Sequence, residues 1–195
     1  MASLNDALFL ALNASDHPSG LLVAFAVVCA KHLYYLVPLH IGLVWFAGPR
    51  ELRFIAIVGV LAMAGGLLVS GAIGTIFPTP RPFVLGLGHT LLEHRPSAAF
   101  PSNHTIVCAS WAAVLAIFGH WRLATATGIL TLLVGWSRVY LGVHFPLDIL
   151  GGAILAVAAA FAAVRLIMLD EGRTVVRLDR LGDRLAPFRR WRGAP

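Results

Sequence analysis

Between Trp136 and Gly152 the chain reads WSRVYLGVHFPLDILGG. Twelve of these residues carry Ser137, Arg138, Gly142, His144 and Asp148, set between two apolar runs. Charge at the mouth of an apolar segment is expensive and marks function by default. An arginine, a histidine and a carboxylate held together suit phosphate chemistry. Arginine grips phosphate oxygens with a planar fork. Histidine serves as nucleophile or proton carrier, and a carboxylate holds its imidazole in one tautomer. The plainer alternative is a helical hairpin with interfacial charges.

Two more polar clusters stand near apolar runs. Arg81 lies between Pro80 and Pro82, rigidly placed, as a functional group or as an interfacial anchor. Phe100 to Thr105 reads FPSNHT and precedes an apolar run, so Ser102 is predicted to cap a helix. The free N–H groups of that helix start, around Asn103 and His104, make a ready anion site; the alternative is a simple capping turn. Pro146 suits the first turn of a helix, which puts Asp148 near a helix N-terminus, where negative charge is favoured. His104, His144 and Asp148 can also be read as zinc ligands. Against that, Arg81 and Arg138 would crowd a cation, and no HExxH or paired-cysteine pattern is present.

The elements that must hold these residues are apolar. Of 195 residues, 58% are hydrophobic and only 12% charged, where a soluble domain would carry about 25%. Mean hydropathy is +0.82. The deficit of charge predicts an integral membrane protein. The net charge of +6 does not point to nucleic acid, because Arg173, Arg177, Arg180, Arg184, Arg189, Arg190 and Arg192 all sit in the last 23 residues. That pattern suits a cytoplasmic tail on a membrane surface. Leu178, Leu181, Leu185 and Phe188 fall at helical spacing, so the tail is read as an amphipathic helix. Cys29 and Cys108 lie inside apolar runs and are read as buried thiols. Residues 1–18 lack Lys and Arg and any long apolar core, so no cleavable signal is expected.

The fold class predicted is all-α, a polytopic membrane helical bundle. Five spans are expected: Leu21–Phe46, Phe54–Phe77, Thr105–Gly119, about Ala124–Leu141, and Pro146–Met168. The N-terminal piece is read as an interfacial helix, with a disordered start or a sixth span as alternatives. Residues 1–168 form the membrane domain and 169–195 the tail. Five spans with the tail inside place Arg50, Arg53 and Arg122 in the cytoplasm. Arg81, Arg95, Arg138 and His144 then lie outside, and the positive-inside bias is satisfied. The same parity brings the polar clusters to one face. A sixth span would move only the N-terminus.

Together, RP at Arg81-Pro82, PSNH at Pro101 to His104 and SRVYLGVHFPLD at Ser137 to Asp148 resemble the three signature motifs of the type 2 phosphatidic acid phosphatase superfamily. These are membrane relatives of bacterial acid phosphatases and vanadium haloperoxidases. The third motif is complete. The first departs, because the superfamily usually has a lysine seven residues before the arginine and this chain has Gly74 there. Within the superfamily the chain is similar to small bacterial undecaprenyl-diphosphate phosphatases. The similarity runs through AKHLYYLVP, GTIFPTPRPFV, HTLLEH and FPSNHT, and covers roughly Leu8 to Met168.

The resemblance implies a metal-independent phosphatase without a cofactor. His144 would attack the terminal phosphorus, oriented by Asp148. His104 would protonate the departing lipid phosphate and then activate water. Arg81, Arg138, Ser102 and Asn103 would bind phosphate oxygens. Lys31, the only lysine in the chain, is expected to fill the place vacant at Gly74, with snorkelling or pairing to Asp148 as the alternative. His32, His40 and His120 are read as packing or interfacial residues. His89, Glu93, His94 and Arg95 either touch a headgroup or form a solvated loop. The function implied is hydrolysis of undecaprenyl diphosphate to the monophosphate at the outer face of a bacterial inner membrane. That recycles the lipid carrier of peptidoglycan precursors and bears on bacitracin resistance. The alternatives are another lipid phosphate (phosphatidylglycerophosphate, phosphatidate, lipid A), phosphate transfer to another lipid, or lipid-phosphate binding and transport without hydrolysis. Partners expected are the polyprenyl diphosphate and the bilayer, not nucleic acid.

Overall fold

The computed structural model describes residues 3–170 together with Arg173 and Arg177. Among them are seven α-helices and no strand. The first, α1 (Leu4–Leu12), opens with a reciprocal cap: the Asp6 N–H donates to Ser3 Oγ at 3.1 Å, and the Ser3 N–H donates to the Asp6 carboxylate at 2.9 Å. It rises only about 13 Å, short of a bilayer core of roughly 30 Å.

The expected single span Leu21–Phe46 is two helices, α2 (Gly20–Lys31) and α3 (Leu36–Ala47), joined through a 3-10 turn at Leu33–Tyr35. The reason lies in Pro38. A proline ring clashes with the carbonyl four residues earlier, here that of Tyr34, so a regular helix does not run through this point. The remaining helices are α4 (Arg50–Ile76), α5 (Asn103–Ile117), α6 (Trp121–Tyr140) and α7 (Pro146–Leu169). By length and composition, Gly20–Ala47, Leu52–Ile76 and Pro146–Leu169 are long and apolar enough to cross a membrane. Helix α5 is shorter and α6 more polar, with buried Thr127, Thr131, Ser137 and Arg138. Helix α6 buries one face, with Val134, Ser137 and Arg138 inside, and leaves Ile129 and Leu132 on the outside. Helix α5 packs on α4, α6 and α7, which shield it. The expected amphipathic helix at residues 178–188 lies outside the described residues.

The main core gathers around Trp111 on α5, with Val58 and Ala62 from α4, Val134 from α6 and Ala160 and Val164 from α7. The Trp111 indole N–H donates to His40 Nδ1 at 3.1 Å, so its one polar group is satisfied inside. The outside is apolar too: Leu21, Leu68, Leu132 and Leu169 are each more than two-thirds exposed. Apolar surface on this scale needs lipid around it.

Two glycines set the geometry at the end that carries the polar clusters. A Cβ on Gly152 would lie 2.8 Å from the Ser102 carbonyl oxygen, so only glycine lets the start of α7 lie against the start of α5. Gly142 has φ +83°, and a Cβ there would collide with the His89 carbonyl. The loop at residues 77–102 therefore rests directly on the turn between α6 and α7.

Asn13 locks this arrangement. Its Nδ2 donates to the carbonyls of His89 and Tyr140, both at 2.9 Å, and its Oδ1 accepts from the His89 N–H at 2.6 Å. Phe9 on α1 is fully buried and meets Phe145 edge to face at 5.2 Å. One side chain thus joins the N-terminal helix, the long loop and the end of α6. Asn13→Ala removes all three bonds, and the expected loss is about 1–3 kcal/mol. Thermal unfolding in detergent should show the fall in Tm directly.

Candidate active site

Residues from α4, the 77–102 loop, α5, α6 and the α6–α7 turn enclose a cavity of about 270 Å³. Arg81, His94, Asn103, His104, Arg138 and His144 line it, together with Ser70, Gly71, Gly74, Ser97, Ala98, Phe100 and Pro101. This is near the lower end of the roughly 300–1,000 Å³ of small-molecule sites. It suits a phosphate headgroup, not an apolar tail.

His144 is buried at 2% exposure. Its Nδ1 lies 3.2 Å from Asp148 Oδ2, and that oxygen also accepts the Phe145 N–H at 2.8 Å. The carboxylate can only accept, so Nδ1 carries the proton and Nε2 keeps its lone pair. Arg81 Nη1 stands 3.1 Å from that Nε2. Pro146 at the first position of α7 and Asp148 at the third make this pairing a property of the helix start. Burial, then Arg81, Arg138 and His94, hold the His144 imidazole well below the usual histidine range. It is therefore neutral at neutral pH.

Arg81 stitches the cavity wall. It donates through Nε to the Ser97 carbonyl at 3.0 Å, through Nη1 to that of Val143 at 2.9 Å and through Nη2 to that of Ala98 at 3.1 Å. Its guanidinium is fixed by backbone before any ligand contacts it.

Arg138 is held differently. Its Nη2 donates to His104 Nδ1 at 3.1 Å and its Nη1 to the Ala30 carbonyl at 3.4 Å. That carbonyl belongs to the last turn of α2, where the interrupted helix leaves acceptors free. Arg138 Nε is buried and has no hydrogen-bond partner among the described residues. A buried donor left unpaired costs about 1–3 kcal/mol, and an anion in the cavity would relieve it. Accepting from Arg138 leaves the proton of His104 on Nε2. The ring of Tyr34, delivered by the 3-10 turn, packs edge-on against His104 at 4.6 Å. The Ser70 hydroxyl donates to Asn103 Oδ1 at 2.6 Å, which leaves the Asn103 Nδ2 for a ligand.

A neutral imidazole backed by a carboxylate, a second imidazole and two guanidinium groups are a set of side chains able to carry out phosphoryl transfer. The model of the PAP2 superfamily matches residues 55–170. The chain belongs to the PAP2 superfamily. It is 34% identical over 163 residues to YbjG of Escherichia coli (strain K12), which is provisionally named an undecaprenyl-diphosphatase. That match covers 84% of this chain and 82% of YbjG. It is 27% identical to the undecaprenyl-diphosphatase BcrC of Bacillus subtilis (strain 168), over 83% of each chain. The crystal structure of Aquifex aeolicus LpxE superimposes with TM-score 0.70 at 28% identity, covering 84% of this chain and 96% of that one. This PAP2 protein is a multi-pass membrane hydrolase, a phosphatase that acts on lipid phosphates.

Two expected phosphate contacts lie elsewhere. Lys31 ends α2, is exposed, and does not line the cavity. The helix breaks right after it, so what α2 offers the site is the Ala30 carbonyl, not an ammonium group. Ser102 takes the N-cap position of α5 but makes no capping bond through its side chain. It is fully buried, its hydroxyl accepts from Thr105 Oγ1 at 3.1 Å, and its N–H donates to the Asp148 carbonyl at 3.0 Å. It pins α5 to α7 and does not face the cavity. Conversely, Ser70, Ser97 and His94 line the cavity though no signature motif contains them. The positions in α4 had one available signal: Gly74 and Ser70 lie one helical turn apart on a shared face.

The zinc alternative fits poorly, because the guanidinium groups of Arg81 and Arg138 stand 3.1 Å from His144 Nε2 and His104 Nδ1, and their positive charge repels a cation there. Among the described residues no group of three His, Cys, Asp or Glu is placed to hold a metal.

Lys31→Met should leave turnover and KM unchanged in a phosphate-release assay. A rise in KM of about tenfold, the worth of roughly 1.4 kcal/mol, would return Lys31 to the site. The depressed His144 also predicts a pH effect on stability. The unfolded imidazole takes a proton near pH ~6.5, while the folded one resists it. Stability is therefore lost as pH falls from that value toward the folded pKa. The Tm of the wild type should drop more steeply between about pH 7 and 5 than that of His144→Gln.

Proposed function

We propose that this protein hydrolyses undecaprenyl diphosphate to undecaprenyl phosphate and inorganic phosphate. The observation that carries the reading is the His144 pair in the cavity wall: Nδ1 tied to Asp148, Nε2 beside Arg81. Nε2 attacks the terminal phosphorus, and a P–N bond forms as the bond to the bridging oxygen breaks. His104 delivers a proton to the departing lipid phosphate. Two neighbouring guanidiniums disfavour the doubly protonated imidazole, and a bound diphosphate restores the balance. Water then attacks the phosphohistidine, gives its proton to His104, and releases phosphate with His144 regenerated. Arg81, Arg138, Asn103 and the first N–H groups of α5 hold the oxygens as charge shifts. Two guanidinium groups supply the neutralisation that a metal ion gives other phosphatases, so the reaction proceeds without one.

The names of the relatives support a prenyl diphosphate as substrate. We place the chain in a bacterial inner membrane as a bundle of five spans, with Arg81, His104 and His144 on the outer face. The arginine-rich tail then stays in the cytoplasm. There it would recycle the carrier of peptidoglycan precursors and lower sensitivity to bacitracin.

A panel of purified lipid phosphates tests the reading: undecaprenyl diphosphate, phosphatidylglycerophosphate, phosphatidate and lipid A. The prenyl diphosphate should be turned over fastest, His144→Ala should lose at least about 10³-fold in phosphate release, and EDTA should leave the rate unchanged. A prenyl diphosphate among the poorest substrates would overturn the substrate, and an EDTA-sensitive rate would overturn the mechanism.

A further inference from the structure

His94 is a third imidazole in the cavity and has no part in the chemistry above. It comes from the 77–102 loop, is half-buried, and lines the same space as Arg81, His104, Arg138 and His144. Its ring lies 6.4 Å from that of His144, close to edge-on, so a group bound at the nucleophile lies within its reach. Its Nδ1 is 2.9 Å from the carbonyl oxygen of Arg95. A carbonyl only accepts, so Nδ1 is the protonated nitrogen and Nε2 is left with a lone pair or, in the imidazolium, a second N–H.

The charges ask for such a group. A lipid diphosphate carries about three negative charges when fully ionised. The wall offers two permanent positive charges, Arg81 and Arg138, while α4 contributes only Ser70, Gly71 and Gly74. We propose that His94 is a phosphate-binding residue that donates Nε2–H to the transferred phosphoryl group and carries its charge only while that group is bound. This rests on the reading of the cavity as a lipid-phosphate site.

The surroundings explain the conditional charge. The groups around His94 are Arg81 in the 77–102 loop, Arg138 on α6, His104 on α5 and His144 on the α6–α7 turn, with the Asp148 carboxylate behind His144. Glu93 and Arg95, its neighbours in the loop, are exposed. Burial, and then Arg81 and Arg138, hold the ring below the usual histidine range, against the opposing pull of the Arg95 carbonyl. A phosphate dianion reverses that field. Proton uptake is thereby linked to phosphate binding, and affinity must rise as pH falls.

The test uses the full-length protein in detergent: wild type, His94→Gln and His94→Lys. Two readouts are taken between about pH 6 and 8: Kd for inorganic phosphate from the ligand-dependent rise in Tm, and KM against kcat on undecaprenyl diphosphate. His94→Gln should weaken phosphate binding and raise KM about tenfold at the acid end, with a smaller change in kcat and a smaller difference at the alkaline end. His94→Lys should bind tightly across the range, because its charge is permanent. A phosphate Kd unchanged in His94→Gln, or a Kd ratio to wild type that does not vary with pH, would overturn the proposal. Because phosphate binding needs no turnover, a wrong substrate shows separately, as a wild type that binds phosphate but releases none from the lipid.

Discussion

Everything at the polar end of the bundle converges on the contact between Asp148 and His144. The carboxylate oxygen that takes the imidazole Nδ1–H also takes the Phe145 N–H, so the same atom starts α7 and orients the His144 ring. The position follows from the sequence of that turn: His144, then an N-cap, Pro146, and Asp148 in the first helical turn. Because the carboxylate sits at a helix N-terminus, the helix dipole favours its charge. Because His144 and Asp148 are both buried, their desolvation is costly, and hydrogen bonds from the groups that enclose them must offset it.

Arg81 and Asn13 supply that enclosure. Arg81 binds three carbonyls from two loops and faces His144 Nε2, so it ties the loop at 77–102 to the turn at 142–145. Asn13 ties the N-terminal helix to the same two segments from the other side. Gly142 and Gly152 set the close approaches that make both clamps possible. A lipid phosphatase has to admit a charged headgroup while its own charged residues stay out of the apolar phase. Here the cost of burying Arg81 and Arg138 is offset by backbone carbonyls at their guanidinium groups. Arg138 Nε is left for what comes in, together with the Asn103 amide.

Much of the site was legible because its contacts are local. SRVYLGVHFPLD places Arg138, His144 and Asp148 within one hairpin, and FPSNHT puts His104 at a helix start. Spacing alone decides those relations. Long-range relations were not legible. Hydropathy summed over Leu21–Phe46 reads as one span, matching the membrane-length segment Gly20–Ala47, but the break at Tyr34 inside it shows only as the steric consequence of Pro38. Lys31 looked like a replacement for the lysine absent at Gly74 because both are rare features. The fold puts it outside the cavity and sends the Ala30 carbonyl to Arg138 instead. Loop 77–102 has no period, so nothing local says that His94 rather than His89 reaches the cavity. His89 is held at the surface by Asp16, 3.0 Å away, and by Asn13.

The central claim is that His144 becomes phosphorylated through Nε2. The leaving group is a phosphate ester and only weakly basic, so loss of His104 slows hydrolysis of the intermediate more than its formation. The direct measurement is therefore to mix His104→Ala with undecaprenyl diphosphate labelled in its terminal phosphate, denature in base, and map the label by peptide. The account predicts an alkali-stable, acid-labile phosphoryl group on the peptide containing His144, absent in His104→Ala/His144→Ala. Turnover with no label there, or a label that persists without His144, would contradict it.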